Sequence, residues 1–147
     1  MYAQQPRYTK VKAGYLVVLR QGDSVFQQLE KIAANEKIPS ANFTGMGFLG
    51  HVRFGFFNNT TREYEPKDFY NVELASLTGS IAWEQGKPSL HLHGVAGDKE
   101  MQTHSGHLLS AVVGTGSLEI LITVHDQQLE RKTDPAIGAK VLEIPGK

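Results

Sequence analysis

The chain has 147 residues, of which 40% are apolar, 9% aromatic and 20% charged. These are ordinary values for one globular domain with a self-sufficient core. Fifteen basic residues balance fifteen acidic ones, so net charge gives no nucleic-acid footprint, although a folded surface can still concentrate the basic residues. There is no cysteine, so disulfides, thiolate metal sites and cysteine nucleophiles are excluded.

The first ten residues, MYAQQPRYTK, lack the apolar stretch of a secretory signal and read as a flexible arm, residues 1–10. No run approaches the ~20 apolar residues of a membrane span, so the expected setting is cytoplasmic, without membrane contact. GYLVVLR (Gly14–Arg20) reads as a mostly buried strand. After a turn at QGD, Ser24 and Gln27 form an S-x-x-Q capping box. Phe26, Leu29, Ile32 and Ala33 follow at helical spacing. The helix is expected to end between Asn35 and Lys37, ahead of Pro39.

The pattern then changes to strands. ANFTGMGF and HVRFGFF read as two short strands separated at Leu49–Gly50, and Asn58–Thr61 as a turn. REYEP adds a short edge strand. Phe69–Glu84 is too long for one flat strand, so a bend or bulge is expected at Thr78–Gly79. EQGKP turns the chain into the strand SLHLHGVA, and GDKE (Gly97–Glu100) turns it again. HLLSAVVG and SLEILITVH follow, with GTGS (Gly114–Ser117) between them as a turn. The tail carries a turn at Asp134–Pro135 and a last strand. The class is α+β: a mostly antiparallel sheet with one main helix packed on it, and room for a second short helix after Gly97.

Four of the six histidines fall between Ser89 and Ala111. On a strand, i and i+2 share a face roughly 6.6–7 Å apart, so His91 and His93 project together. A hairpin centred near Lys99 places His107 opposite His91. His104 is an odd number of residues from His107 and would face away. Parity therefore selects His91, His93 and His107. Three neutral imidazoles and an open position suit catalytic zinc, and imidazole also suits copper, nickel and iron. The competing reading is a histidine-rich strand pair with no ion. Asp98 and Glu100 sit on the turn and read as solvated, and His51 and His125 as ordinary surface or edge residues.

Other signals are weaker. GMGFLG (Gly45–Gly50) lacks phosphate-loop spacing; it reads as close backbone packing, or else as a loop that lets a ligand approach. No serine–histidine–acid spacing identifies a nucleophile, and Trp83 reads as packed. The basic residues are dispersed, densest in the N-terminal arm (Arg7, Lys10, Lys12) and at Arg131–Lys132.

With these stretches in view, the chain resembles the plants-and-prokaryotes-conserved (PPC) domain family almost end to end. The resemblance rests on LRQGDSVFQQLEKIAANEKI, GMGFLGHVRFGFF, VELASLTGSIA, LHLHGVAGDKEMQTHSGHLLSAVVGTGSLEILI and LERKTDPAIGAKVL, in that order. It implies a single domain over 1–147, an α+β fold with a mostly antiparallel sheet, and a homotrimer. It also implies a metal, zinc first among divalent ions, on the H-x-H pair and the G-H-L histidine; carried over, these are His91, His93 and His107. Ser105 stands where family members commonly have the first glycine of G-G-H-L, too small a change to remove the site. Plant members carry an AT-hook ahead of the domain, and this chain has no R-G-R-P hook.

Three functions follow. One is a trimeric metal-binding module that meets DNA or a regulatory protein; three basic arms on a trimer would supply avidity. The alternative is a zinc-dependent enzyme or small-ligand-binding protein using the three histidines, with Glu73, Arg20 and His104 as further polar residues to test. The third is a structural trimer with packed histidines. No catalytic residue is identified, and the balance favours a binding module over an enzyme.

Overall fold

The structure is a computed structural model that describes residues 5–146. In β2 (Gly14–Arg20), Tyr15, Val17 and Leu19 face the core while Leu16 stays 41% exposed, the alternation that pleating imposes. β1 (Tyr8–Val11) pairs antiparallel with β2. This corrects the expected arm over residues 1–10. Its first four residues lie outside the described residues, but Tyr8–Lys10 are strand. The Tyr8 and Tyr15 hydroxyls both donate to Glu36, at 2.7 and 2.9 Å, tying this edge to the end of the helix.

Helix α1 (Val25–Asn35) starts where its capping box predicts. The Ser24 hydroxyl accepts the Gln27 N–H, and Glu36 closes the last turn onto the Ile32 carbonyl. Val25, Leu29, Ile32 and Ala33 form its buried stripe, packed towards β5 (Lys87–Gly97) and β6 (Thr103–His125). Burial of Leu29 and Ile32 alone contributes about 1.5–3 kcal/mol each.

The remaining strands are longer than the sequence suggests, because bulges bend them without ending them. β3 (Ser40–Asn58) runs through Leu49–Gly50, and β4 (Glu63–Glu84) absorbs REYEP. The irregularity in β4 is at Ala75, between the pairs Leu74↔Ala96 and Ser76↔Val95, and not at Thr78–Gly79. GTGS is no turn either. β6 continues through it, and Gly114–Ser117 bulge opposite the single residue Phe48. The glycines of GMG serve close packing: a Cβ on Gly47 would lie 2.3 Å from the Ser117 carbonyl oxygen.

With β7 at Glu130–Asp134 and β8 at Ala139–Glu143, the sheet order is β1-β2-β6-β3-β4-β7-β8, and β5 pairs with both β4 and β6. Pairings β3–β4, β4–β5, β5–β6 and β6–β3 therefore close a circuit around Phe43, Leu74, Leu77, Leu92 and Leu108. β8 is the expected last strand; it pairs with β7 in a C-terminal hairpin, and β7 meets β4 in parallel at Trp83↔Glu130. Trp83 is packed, its Nε1 donating to the Ile38 carbonyl at 2.8 Å. Among the described residues α1 is the one helix, so the second short helix does not form, and no helix is long and apolar enough to cross a membrane. The architecture is the mostly antiparallel α+β arrangement read from the sequence.

Candidate metal centre

β5 alternates cleanly. Leu92, Gly94 and Ala96 are buried, and His91, His93 and Val95 are exposed. Opposite them on β4, Ser80 pairs with His91 and Thr78 with His93. On β6, His107 pairs with His93. The sequence placed His107 opposite His91, two residues away. The turn is wider than GDKE: it holds Asp98–Gln102, with the Met101 N–H donating to the Asp98 carbonyl and the Asp98 N–H to the Gln102 carbonyl. An even shift preserves parity, so the same three histidines meet.

One ring nitrogen from each of His91, His93 and His107 lies within 4.8 Å of the other two. The Nε2 atoms of His91 and His93 are 3.1 Å apart, so one donates to the other. Two nitrogens on one tetrahedral zinc sit about 3.3 Å apart. The His107 ring packs 5.1 Å from His91 and 5.3 Å from His93, centroid to centroid, with Tyr64 stacked on it at 4.6 Å. His107 Nδ1 is buried without a hydrogen-bond partner.

Metal ligation needs neutral imidazole, and the site disfavours the charged form. Burial, then the charges of His91 and His93, push His107 down to about 4. Loss of water around its ring, then His93 and Arg131, lower His91. No carboxylate belongs to the group. The donor set, the unpartnered nitrogen and the spacing fit a divalent ion with an open coordination position.

Beside the rings of His91 and His107 opens a cavity of about 470 Å³. Arg131 of β7 lines it and is 4% exposed. Its Nη1 donates to the Ser89 carbonyl, and its Nη2 donates to Ser80 Oγ at 2.6 Å. The sequence counted Arg131 only among dispersed cations, offered Ser80 only as one serine without a nucleophile's spacing, and did not mark Tyr64. No local pattern marks them, because they reach the histidines by long-range pairing of β4 and β7.

Glu73, Arg20 and His104 do not line this cavity. His104 stacks on Phe69 at 4.1 Å, and its Nε2 lies 2.9 Å from Asp98 Oδ2. Asp98 is therefore no solvated turn acid; its Oδ1 also accepts the Glu100 and Gln102 N–H groups. His51 is not an ordinary surface residue either: it sits inside β3 with its Nε2 2.6 Å from Asp68. His125 bonds Asn42 Oδ1 at 2.8 Å. The basic clusters are partly engaged. Arg7 pairs with Asp23 at 2.6 Å and Lys132 with Glu143 at 2.7 Å, and Arg131 is buried.

A proposed DNA-binding protein from Ralstonia eutropha JMP134 is 51% identical, covering 95% of this chain and 96% of its own, with a TM-score of 0.92. A proposed DNA-binding protein from Bacteroides thetaiotaomicron is 28% identical over 92% of this chain and 95% of its own, with a TM-score of 0.87. A metal-containing protein from Archaeoglobus fulgidus shares the fold, at 23% identity, 96% and 100% coverage and a TM-score of 0.81. No curated protein matches the chain. The Plants and Prokaryotes Conserved (PCC) domain matches residues 7–126. By that match and by its fold, this chain belongs to the Plants and Prokaryotes Conserved domain family.

Proposed function

We propose that this chain is a metal-binding module of its family, with a divalent ion, zinc first, held by His91, His93 and His107. In this reading the loaded protein works in the cytoplasm as a homotrimer, with DNA or a regulatory protein as its partner. His107 Nδ1 carries the metal assignment: it is buried and unpartnered in a ring packed against two converging imidazoles. Leaving such an atom unsatisfied costs about 1–3 kcal/mol, and an ion is a partner the three rings can share. Elemental analysis of untagged protein tests it. About one zinc per chain, lost in His93→Ala, is the expected result; no metal in either sample overturns the assignment.

Self-association is supported by exposed apolar side chains on the sheet. Leu16 pairs with Leu121, each 41% exposed, and Met46 and Val95 are exposed as well. Light scattering should return three times the chain mass. DNA is supported by the description of the Ralstonia eutropha relative. Binding to a labelled duplex should fall steeply with salt, and no binding at low salt removes DNA from the reading.

The cavity favours a second reading, a protein that binds or converts a small molecule beside the histidines. Its volume is within the range of small-molecule sites. A bound zinc supplies Lewis acidity at its open position.

A further inference from the structure

We infer that the cavity beside His91 and His107 binds a small organic carboxylate, whose charged end is received by Arg131. The inference deepens the small-molecule reading and rests on it.

Arg131 is almost fully buried, yet among the described residues no carboxylate lies within ion-pair distance of it. Its two bonded acceptors, the Ser89 carbonyl and the Ser80 hydroxyl, are neutral. Glu84 is the acid whose charge reaches it, and the Glu84 carboxylate already accepts from Lys140 Nζ at 2.7 Å. A guanidinium offers five N–H donors in a rigid fork, and two bonds leave donors to spare. A buried charge without a counter-charge costs several kcal/mol. An anion in the cavity offsets that cost.

The wall sets the kind of anion. Its side chains carry three cations against two carboxylates, Glu30 and Glu84, leaving one positive charge for one negative one. Lys140 is held by Glu84, and Arg62 is turned to the carbonyls of Pro135 and Ala136 at 3.2 and 3.1 Å. Arg131 is thus the buried cation with donors to give. A carboxylate edge matches a guanidinium fork, whereas the second charge of a phosphate dianion would fall to Arg62, whose Nη groups are turned to the Pro135 and Ala136 carbonyls. Phe26, Phe57, Tyr64 and Leu90 supply large apolar surface on the wall, so the ligand carries a compact apolar body. Ser80 holds the guanidinium and is also the cross-strand partner of His91, which sets the carboxylate beside the histidine cluster.

The test uses the full chain, ¹⁵N-labelled, with zinc added and again after EDTA. Benzoate is the probe, benzamide its neutral counterpart and inorganic phosphate the competitor. Benzoate should shift the Arg131 Nε–H and the amides of Ser89, Leu90 and His91, and benzamide and phosphate should not. Arg131→Lys, which keeps the charge and loses the fork, should bind about tenfold more weakly. Arg131→Gln should not bind; if its spectrum shows it unfolded, Arg131→Lys decides. Unmoved resonances, equal binding by these variants, or displacement by phosphate would overturn the inference. Zinc is read separately on the imidazole resonances. Benzoate binding with imidazoles that ignore zinc upholds the carboxylate site and ends the metal assignment. Zinc binding without benzoate does the reverse.

Discussion

His51 and His104 each meet an aspartate: Nε2 lies 2.6 Å from Asp68 in one and 2.9 Å from Asp98 in the other. His91, His93 and His107 meet one another, with no acid in their group. A ring whose Nε2 meets a carboxylate has that nitrogen occupied, whereas the three converging rings bring a nitrogen each within 4.8 Å of the others with no acid between them. The two sets meet on β6, where His104 is three residues from His107. The partners distinguish the candidate ligands from the aspartate-paired histidines, and the density of histidine in the sequence does not.

The largest expected effect separates the two sets through metal. At free zinc one hundred times Kd, binding adds about 2.7 kcal/mol of stability. For a chain this long that raises Tm by roughly 5–10 °C. Calorimetry should show the rise in wild type, its reversal by EDTA, and its absence in His107→Ala. Asp68→Asn should keep it. Loss of the zinc effect in Asp68→Asn would merge the two sets and end the comparison.

Next comes the support under the H-x-H pair. A Cβ on Gly79 would lie 2.4 Å from Phe43 Cζ and 2.6 Å from the His91 carbonyl oxygen. Gly79→Ala should therefore cost about 1–3 kcal/mol, as overpacking does. Because it pushes on β5, zinc affinity should fall as well, while NMR should find the His51–Asp68 contact intact. Unchanged zinc affinity would mean that the cluster tolerates a shifted strand.

Acid titration places the two sets in different windows. In the metal-free protein His107 is held at about 4 against an ordinary 6.5. The unfolded chain takes up a proton there that the folded chain refuses, so stability falls as pH drops from about 6.5 to about 4. Asp68 is pulled from 3.8 to about 2, by Arg53 first and then His51. Its contribution is complete above 3.8 and is lost as pH falls towards 2. Urea midpoints followed down the pH scale should show the upper loss flattened in His107→Leu and the lower one in Asp68→Asn. An unchanged upper slope in His107→Leu would mean that His107 is not the group refusing the proton.

Local chemistry made much of this molecule legible. Ser24 caps α1 as its S-x-x-Q pattern predicts, and strand parity selects the three histidines that converge. What the sequence withheld is set at long range. The His93↔His107 register depends on an Asp98–Gln102 turn whose length GDKE does not reveal. Glycines at 114 and 116 look like a turn, but they form a bulge because β3 pairs with β6 on both sides of them, Gly47↔Leu118 and Leu49↔Val113. Arg131 lies in a charged stretch, ERKTD, that reads as solvated, and only the packing of β7 near β4 buries it.

The smallest effect is the sharpest probe of the boundary between the sets. Asp98 Oδ1 accepts the N–H groups of Glu100 and Gln102, at 3.0 and 2.9 Å, and Oδ2 meets His104. Asp98→Asn leaves an oxygen for the turn and removes the charge facing His104. As a partly exposed pair, it should cost about 0.5–1 kcal/mol. The turn fixes which residue of β6 stands opposite His93, so with the turn intact zinc affinity should stay within about threefold, a change of less than 1 kcal/mol. Asp98→Ala removes the turn bonds too; it should lose about 1 kcal/mol more and weaken zinc through the register. Titration calorimetry on the two variants distinguishes the roles. If Asp98→Asn weakens zinc as much as Asp98→Ala does, the charge itself acts on the cluster, and the aspartate-paired histidine becomes part of the metal centre.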